Sequence, residues 1–227
     1  MAVAQRALVT HKTETRTQET RTQETLRELA GKAAPVTLAG DKILPVLPPF
    51  EPLLPGGLRR GTTVTVSGSL GLALAVIAGP SQAGAWCAAV GFPSLGLVAA
   101  AEAGIALERF PMVADPGDDW ATVVGALLEA FDVVLLKAPA GGATRRLEAR
   151  ARERGAVLVV AGDWPGADVH LSVARSEWEG LGDGHGHLQG HRLEVVATGR
   201  RAAARERRAD IWLGQACVGA QLPENAT

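Results

Sequence analysis

A loop that binds nucleotide phosphates needs a turn of backbone amides after an apolar strand, a lysine to neutralise the phosphates and a hydroxyl to hold magnesium. The spacing that supplies all three is G-x-x-x-x-G-K-[ST]. The chain has the apolar strand, Thr62 through Ser67, and the glycine, Gly68, but continues Ser69-Leu70-Gly71-Leu72 with no lysine. The loop is shortened straight into a helix. No lysine stands between Lys42 and Lys137, so no nearby residue is expected to replace the missing cation.

Charge recognition is the other chemistry the residues offer. Arg200, Arg201, Arg205, Arg207 and Arg208 fall between two predicted strands, interrupted by alanines and Glu206. Guanidinium groups there could contact DNA phosphates and make binding salt-dependent; the alternative is a solvated loop. Arg145, Arg146, Arg150, Arg152 and Arg154 load a predicted helix whose Leu147 and Ala151 face inward at i, i+4, which leaves Arg146, Arg150 and Arg154 on an outward face. Acidic neighbours on that helix favour an ordinary exposed face, with Arg146 and Arg150 as secondary DNA candidates. Arginine outnumbers lysine 19 to 4 throughout, which lowers what any single arginine says.

His185, His187 and His191 have a spacing that could in principle ligate a metal, but the glycines around them point to a mobile loop and no metal site is expected. Trp164, Trp178 and Trp212 could stack on bases or anchor a partner. With no tyrosine and 4% aromatics, partner contact is the better reading for an exposed one, and Trp212, between Ile211 and Leu213, is expected in the core. Cys87 and Cys217 lack disulfide or metal-ligand patterning and are expected to be reduced structural thiols.

These residues need a scaffold, and 227 residues at 47% hydrophobic can bury one main core. Residues 40–140 carry 5 basic and 9 acidic side chains, residues 141–208 carry 12 and 9, so positive charge lies late in the chain. No apolar run reaches the roughly 20 residues of a membrane span, and the first residues do not read as a secretory signal, so a cytoplasmic protein without membrane contact is expected. Residues 1–24, with the repeated Thr-Arg-Thr-Gln-Glu, are expected to be a disordered tail. Residues 25–52 are expected to hold a short helix, capped by Thr25 and Glu28 and presenting Leu26 and Leu29 for docking, followed by a proline-rich linker. The ordered core is predicted over 53–215, and 216–227 as a C-terminal tail.

Within that core, short apolar runs alternate with alanine-rich helical stretches, the pattern of a βαβ sheet. Strands are predicted at Thr62–Ser67, Trp86–Gly91, Phe110–Ala114, Asp132–Lys137 and Ala156–Ala161. Helices are predicted at Leu70–Ser81, Leu95–Ala103, Asp119–Ala130, capped by Asp118 or Asp119, and Thr144–Arg154. Shorter strands at Val169–Ala174, Arg192–Thr198 and Asp210–Leu213, joined by polar loops, suggest an antiparallel extension.

Leu54-Pro55-Gly56-Gly57-Leu58-Arg59-Arg60-Gly61, leading into Thr62–Gly68, resembles the start of the nucleotide-binding core of RecA-family ATPases. The resemblance implies an α/β fold with a RecA-like, mostly parallel sheet flanked by helices and antiparallel C-terminal strands. It also locates two further losses. Val90-Gly91-Phe92-Pro93 has no acidic residue where the family places its catalytic glutamate. The strand ending in Lys137 would end in a Walker B carboxylate, and Asp132 lies at its other end. With Gly68, Ser69, Leu70 and Gly71 as a degenerate phosphate loop, the resemblance implies no nucleotide hydrolysis and no cofactor.

Gly56 through Gly61, Ala83-Gly84-Ala85-Trp86-Cys87, Gly96 through Gly104, Arg192 through Val196 and Asp210 through Leu213 are more closely similar to the ImuA-like branch of that family, in its actinobacterial form, over about residues 50–215. This implies an accessory factor of damage-induced translesion synthesis. Its partners would be an ImuB-type Y-family polymerase-like protein, an error-prone replicative-type polymerase in the same complex, and RecA and DNA as further contacts, with nucleoid association when engaged on damaged DNA. Leu26, Leu29 and Trp212 are the candidate partner contacts. A residual NTPase and a SulA-like cell-division inhibitor are the rival readings.

Overall fold

A computed structural model describes residues 42–139, 144–181, 186–200 and 205–214. Its centre is a run of parallel strands whose residues are apolar at nearly every position, as strands covered on both faces require. These are β3 (Thr63–Ser67), β4 (Cys87–Val90), β5 (Met112–Val113), β6 (Val133–Lys137) and β7 (Val157–Ala161). The chain then crosses to β8 (Val169–Leu181), which pairs parallel with β3, and folds back antiparallel through β9 (Gly186–Gly199) and β10 (Arg207–Gly214). The spatial order is β10-β9-β8-β3-β7-β6-β4-β5, with a separate antiparallel pair, β1 (Ile43–Leu44) and β2 (Leu58–Arg59). The fold is therefore the α/β class expected, a mostly parallel sheet with antiparallel C-terminal strands.

Among the described residues four α-helices cover it, α1 (Leu70–Gln82), α2 (Leu97–Glu102), α3 (Trp120–Ala130) and α4 (Thr144–Arg154). Val124, Leu127 and Leu128 of α3 and Leu147 and Ala151 of α4 join the core on one face of the sheet. Asp119 sits at the N-cap of α3 but its side chain caps nothing, contrary to the expected Asp cap.

On the other face lies α1, which is buried at every position from Leu72 to Ser81. A helix apolar all round needs cover on both sides. The sheet supplies one side. The second is the proline-rich segment, expected as a linker: Leu44, Phe50, Leu53 and Leu58 are each at most 1% exposed. It approaches so closely that a Cβ on Gly79 would lie 2.7 Å from the backbone of Val46 and Leu47. The ordered core thus begins before Leu53. Pro48 opens a 3-10 turn ending at Phe50, where its missing amide costs nothing.

The antiparallel strands run longer than the sequence suggested because only one face is buried. Leu171, Leu193, Val195, Ala197 and Ile211 point into the core. Across the opposite face Arg175 pairs with Glu177, Arg192 with Glu179 and Arg208 with Glu194. Two bulges, at Val173/Arg175 and Glu179/Leu181, shift the register along the way. Such exposed pairs contribute little individually, but alternate charge is compatible with a ladder, and the segment read as polar loops around Glu177 and Gly190 is strand.

At the amino ends of the parallel strands, Asp132 is 7% exposed. Its carboxylate accepts from Arg60 Nη2 at 2.7 Å and from the Trp86 amide at 2.9 Å, while Arg60 Nη1 donates to the Gly155 carbonyl at 3.2 Å. One ion pair thereby ties the starts of β3, β4, β6 and β7 together.

Candidate functional site

The carboxyl ends of the parallel strands are where ligands of open α/β sheets bind, and here they enclose a cleft of ≈ 390 Å³. Its floor is the turn from β3 into α1. Gly68 has φ +91°, and a Cβ there would lie 2.9 Å from Val173 Cβ, so only glycine fits. Ser69 is the N-cap: its Oγ accepts from the Leu72 amide at 3.2 Å, and α1 begins at Leu70. The turn is as short as the sequence indicated. One amide that a phosphate would use is satisfied by the cap, and Leu70 projects over the cleft with 39% of its surface exposed.

The remaining walls come from the residues after β4, Phe92 to Leu95, from Lys137 at the end of β6, and from Ala161 and Gly162 at the end of β7. No carboxylate lines the cleft among the described residues. Lys137 requires a correction to the expectation that no cation lies near the shortened loop. It pairs in register with Ala161, and Ala161 with Val66. One strand, β7, separates Lys137 from the turn, and its side chain lines the same cleft.

The arginines fall elsewhere. Gly199 pairs with Val169 and Val169 with Val64, so Arg200 lies by the amino end of β3, at the opposite end of the sheet from the cleft. Arg200 is exposed, its amide donating to the Asp168 carbonyl at 2.9 Å; Arg205 is exposed and Arg207 half-buried. Arg208 is held by Glu206 and Glu194, whose hydrogen bonds push its pKa above the usual guanidinium value. The structure therefore groups Arg200, Arg205, Arg207 and Arg208 around one strand connection, and Arg208 enters it already paired. Arg201 lies outside the described residues.

Arg146 and Arg150 line a groove of ≈ 510 Å³ between α3 and α4, with Arg150 bridging Glu129 and Glu153. Arg150 is thus a clamp between two helices, where the sequence placed it on an outward face. Glu148 accepts from the indole nitrogen of the buried Trp164 at 3.0 Å, which accounts for one of the acidic neighbours on α4. Trp212 is half-buried, its ring lying over Gly190 and Gly214. Leu26 and Leu29 lie outside the described residues.

Sequence reasoning missed a pair on the projecting β8–β9 ribbon. Trp178, 58% exposed, stacks on His191 with ring centres 3.8 Å apart and planes 4° apart. Ser176 Oγ is 2.6 Å from His191 Nε2. Burial holds the His191 pKa below its ordinary value. His191 is therefore a strand residue rather than part of a mobile loop; His185 and the side chain of His187 lie outside the described residues. Opposite His191 on β10 is Leu213, which meets α1 at Gly71. The ribbon thus flanks the start of α1, a neighbourhood set by hairpin register.

Fold and cleft together define an α/β protein with a mostly parallel sheet, antiparallel C-terminal strands and a two-residue turn from β3 into α1 at the floor of its cleft. The chain belongs to the MT3502 N-terminal domain family, which matches residues 52–166. It is also similar to the uncharacterized protein Rv3395c of Mycobacterium tuberculosis (strain ATCC 25618 / H37Rv), at 35% identity over 161 residues, covering 66% of this chain and 79% of that one. Among the described residues no helix is long and apolar enough to cross a membrane.

Proposed function

We propose that this chain is a non-catalytic, ImuA-like scaffold of damage-induced translesion synthesis. It binds an ImuB-type Y-family polymerase-like partner within a complex that includes an error-prone replicative-type polymerase. The observation that carries the non-catalytic part is the cleft. A two-residue turn and the lack of any carboxylate among the described lining residues support it, because phosphoryl transfer depends on positioned charge that holds magnesium and orients water. The polymerase partner and the pathway rest on the resemblance of the ordered sequence segments alone.

Two measurements test the reading. Purified protein should release no phosphate from ATP above buffer, and immobilised chain should retain the polymerase-like subunit of the same cassette. Turnover that tracks this polypeptide, or failure to retain that subunit, would overturn it. Lys137 is the one feature favouring a residual NTPase, because a cation does stand in the cleft; turnover abolished by Lys137→Ala would establish that rival. DNA contact through the strand connection is the accessory part of the proposal. Arg200→Ala with Arg205→Ala should weaken DNA binding and flatten its salt dependence by about one to two phosphate contacts, as read by fluorescence anisotropy across a salt series.

A further inference from the structure

The cleft has no carboxylate among its described lining residues, and its surroundings expose aliphatic side chains. Leu70 is 39% exposed on its floor, and Leu95 forms part of its wall. Directly beyond Leu95, α2 buries only Ala100 and leaves Leu97 51% and Val98 71% exposed. A helix with so little polar surface, set at the rim of a concave site, has the composition of an interface core.

The charge at this site is as informative as the apolar surface. Lys137 is the only charged side chain among the described residues lining the cleft, and it makes no ion pair or hydrogen bond among them. Its complement is a single carboxylate. A nucleic-acid strand would bring a phosphate at every nucleotide and needs several cations to meet them. At ≈ 390 Å³ the cleft suits a few side chains of an extended segment rather than the broad face of a second copy.

We infer that the cleft and the exposed flank of α2 receive an extended segment of a protein partner that carries aliphatic side chains and one carboxylate. The carboxylate meets Lys137, and the aliphatic side chains lie on Leu70, Leu95, Leu97 and Val98. This rests on the scaffold reading and gives it a surface.

The test is selection of a random dodecapeptide phage library on the full chain, followed by fluorescence polarisation of the enriched peptides against the wild type, Lys137→Glu and Val98→Arg. Both substituted side chains are exposed, and circular dichroism with the thermal midpoint checks that each variant folds as the wild type does. The expected result is enrichment of aliphatic peptides with one acidic residue, their Kd rising at least about tenfold in each variant, as loss of an interface anchor produces. No enrichment, enriched peptides without a carboxylate, or Kd values unmoved by either variant would overturn the inference. So would a sedimentation coefficient of the chain alone that falls in both variants, because the occupant would then be a second copy. Retention of the polymerase-like subunit by both variants as by the wild type would sink the cleft as its docking site while leaving the scaffold reading standing. Failure of the wild type to retain it would sink the scaffold reading instead.

Discussion

At the scale of single residues, the most consequential side chain lies far from the cleft. Asp132 satisfies Arg60 and the Trp86 amide at the amino ends of the strands. Replacing it by alanine leaves a guanidinium 13% exposed without its carboxylate. Asp132→Ala should therefore cost about 3–5 kcal/mol in urea unfolding, the range for breaking a buried pair from one side. Asp132→Asn, which can still accept, should cost less.

His191 gives a pH-dependent counterpart. Its pKa is lowered in the folded chain by burial, so the unfolded chain binds the proton more readily below the ordinary value of 6.5. The stability it contributes is complete above that value and is lost as pH falls through the lower folded one. The thermal midpoint should fall on acidifying below 6.5, and His191→Gln should remove the His191 part of that dependence. The stack was not legible in the sequence, since Trp178 and His191 lie on different strands and meet only through hairpin register.

At the scale of elements, the turn from β3 to α1 shows what remains when a phosphate loop is shortened. Ser69 does the work of an ordinary N-cap. Ser69→Ala should cost about 1 kcal/mol, and Ser69→Asp, also a good cap, should leave stability nearly unchanged; equilibrium denaturation distinguishes the two. The central strands were readable because burial on both faces writes a continuous apolar run, and α4 because Leu147 and Ala151 repeat at helical spacing. The β8–β10 strands were only partly readable. Their solvent face carries charged side chains, and Arg175, Glu177 and Arg208 therefore read as loop in the sequence.

At the scale of the whole molecule, the proline-rich segment changes from a connection into part of the core. Its Phe50, 1% exposed, packs in the cluster that covers α1. Phe50→Ala should lower stability by about 3–5 kcal/mol, as large aromatic deletions in cores do. A solvated linker would show almost no change in the same unfolding experiment. The signal was present in α1 itself: thirteen residues with no charged side chain require cover on the side away from the sheet, and only an apolar segment elsewhere could supply it.

The amino-acid sequence by itself determined the α/β class, the position of each central strand and helix to within a few residues, and the truncated turn at Gly68 and Ser69. These are local properties, written in periodicity, capping and missing residues. Only the tertiary structure decided that Lys137 shares a cleft with that turn, that Arg200 lies at the far end of the sheet from it, and that Trp178 stacks on His191. Those relations follow from strand order and register, which bring distant positions together. A search along the chain for a cation beside the turn stops before Lys137, whereas across the sheet it is one strand away.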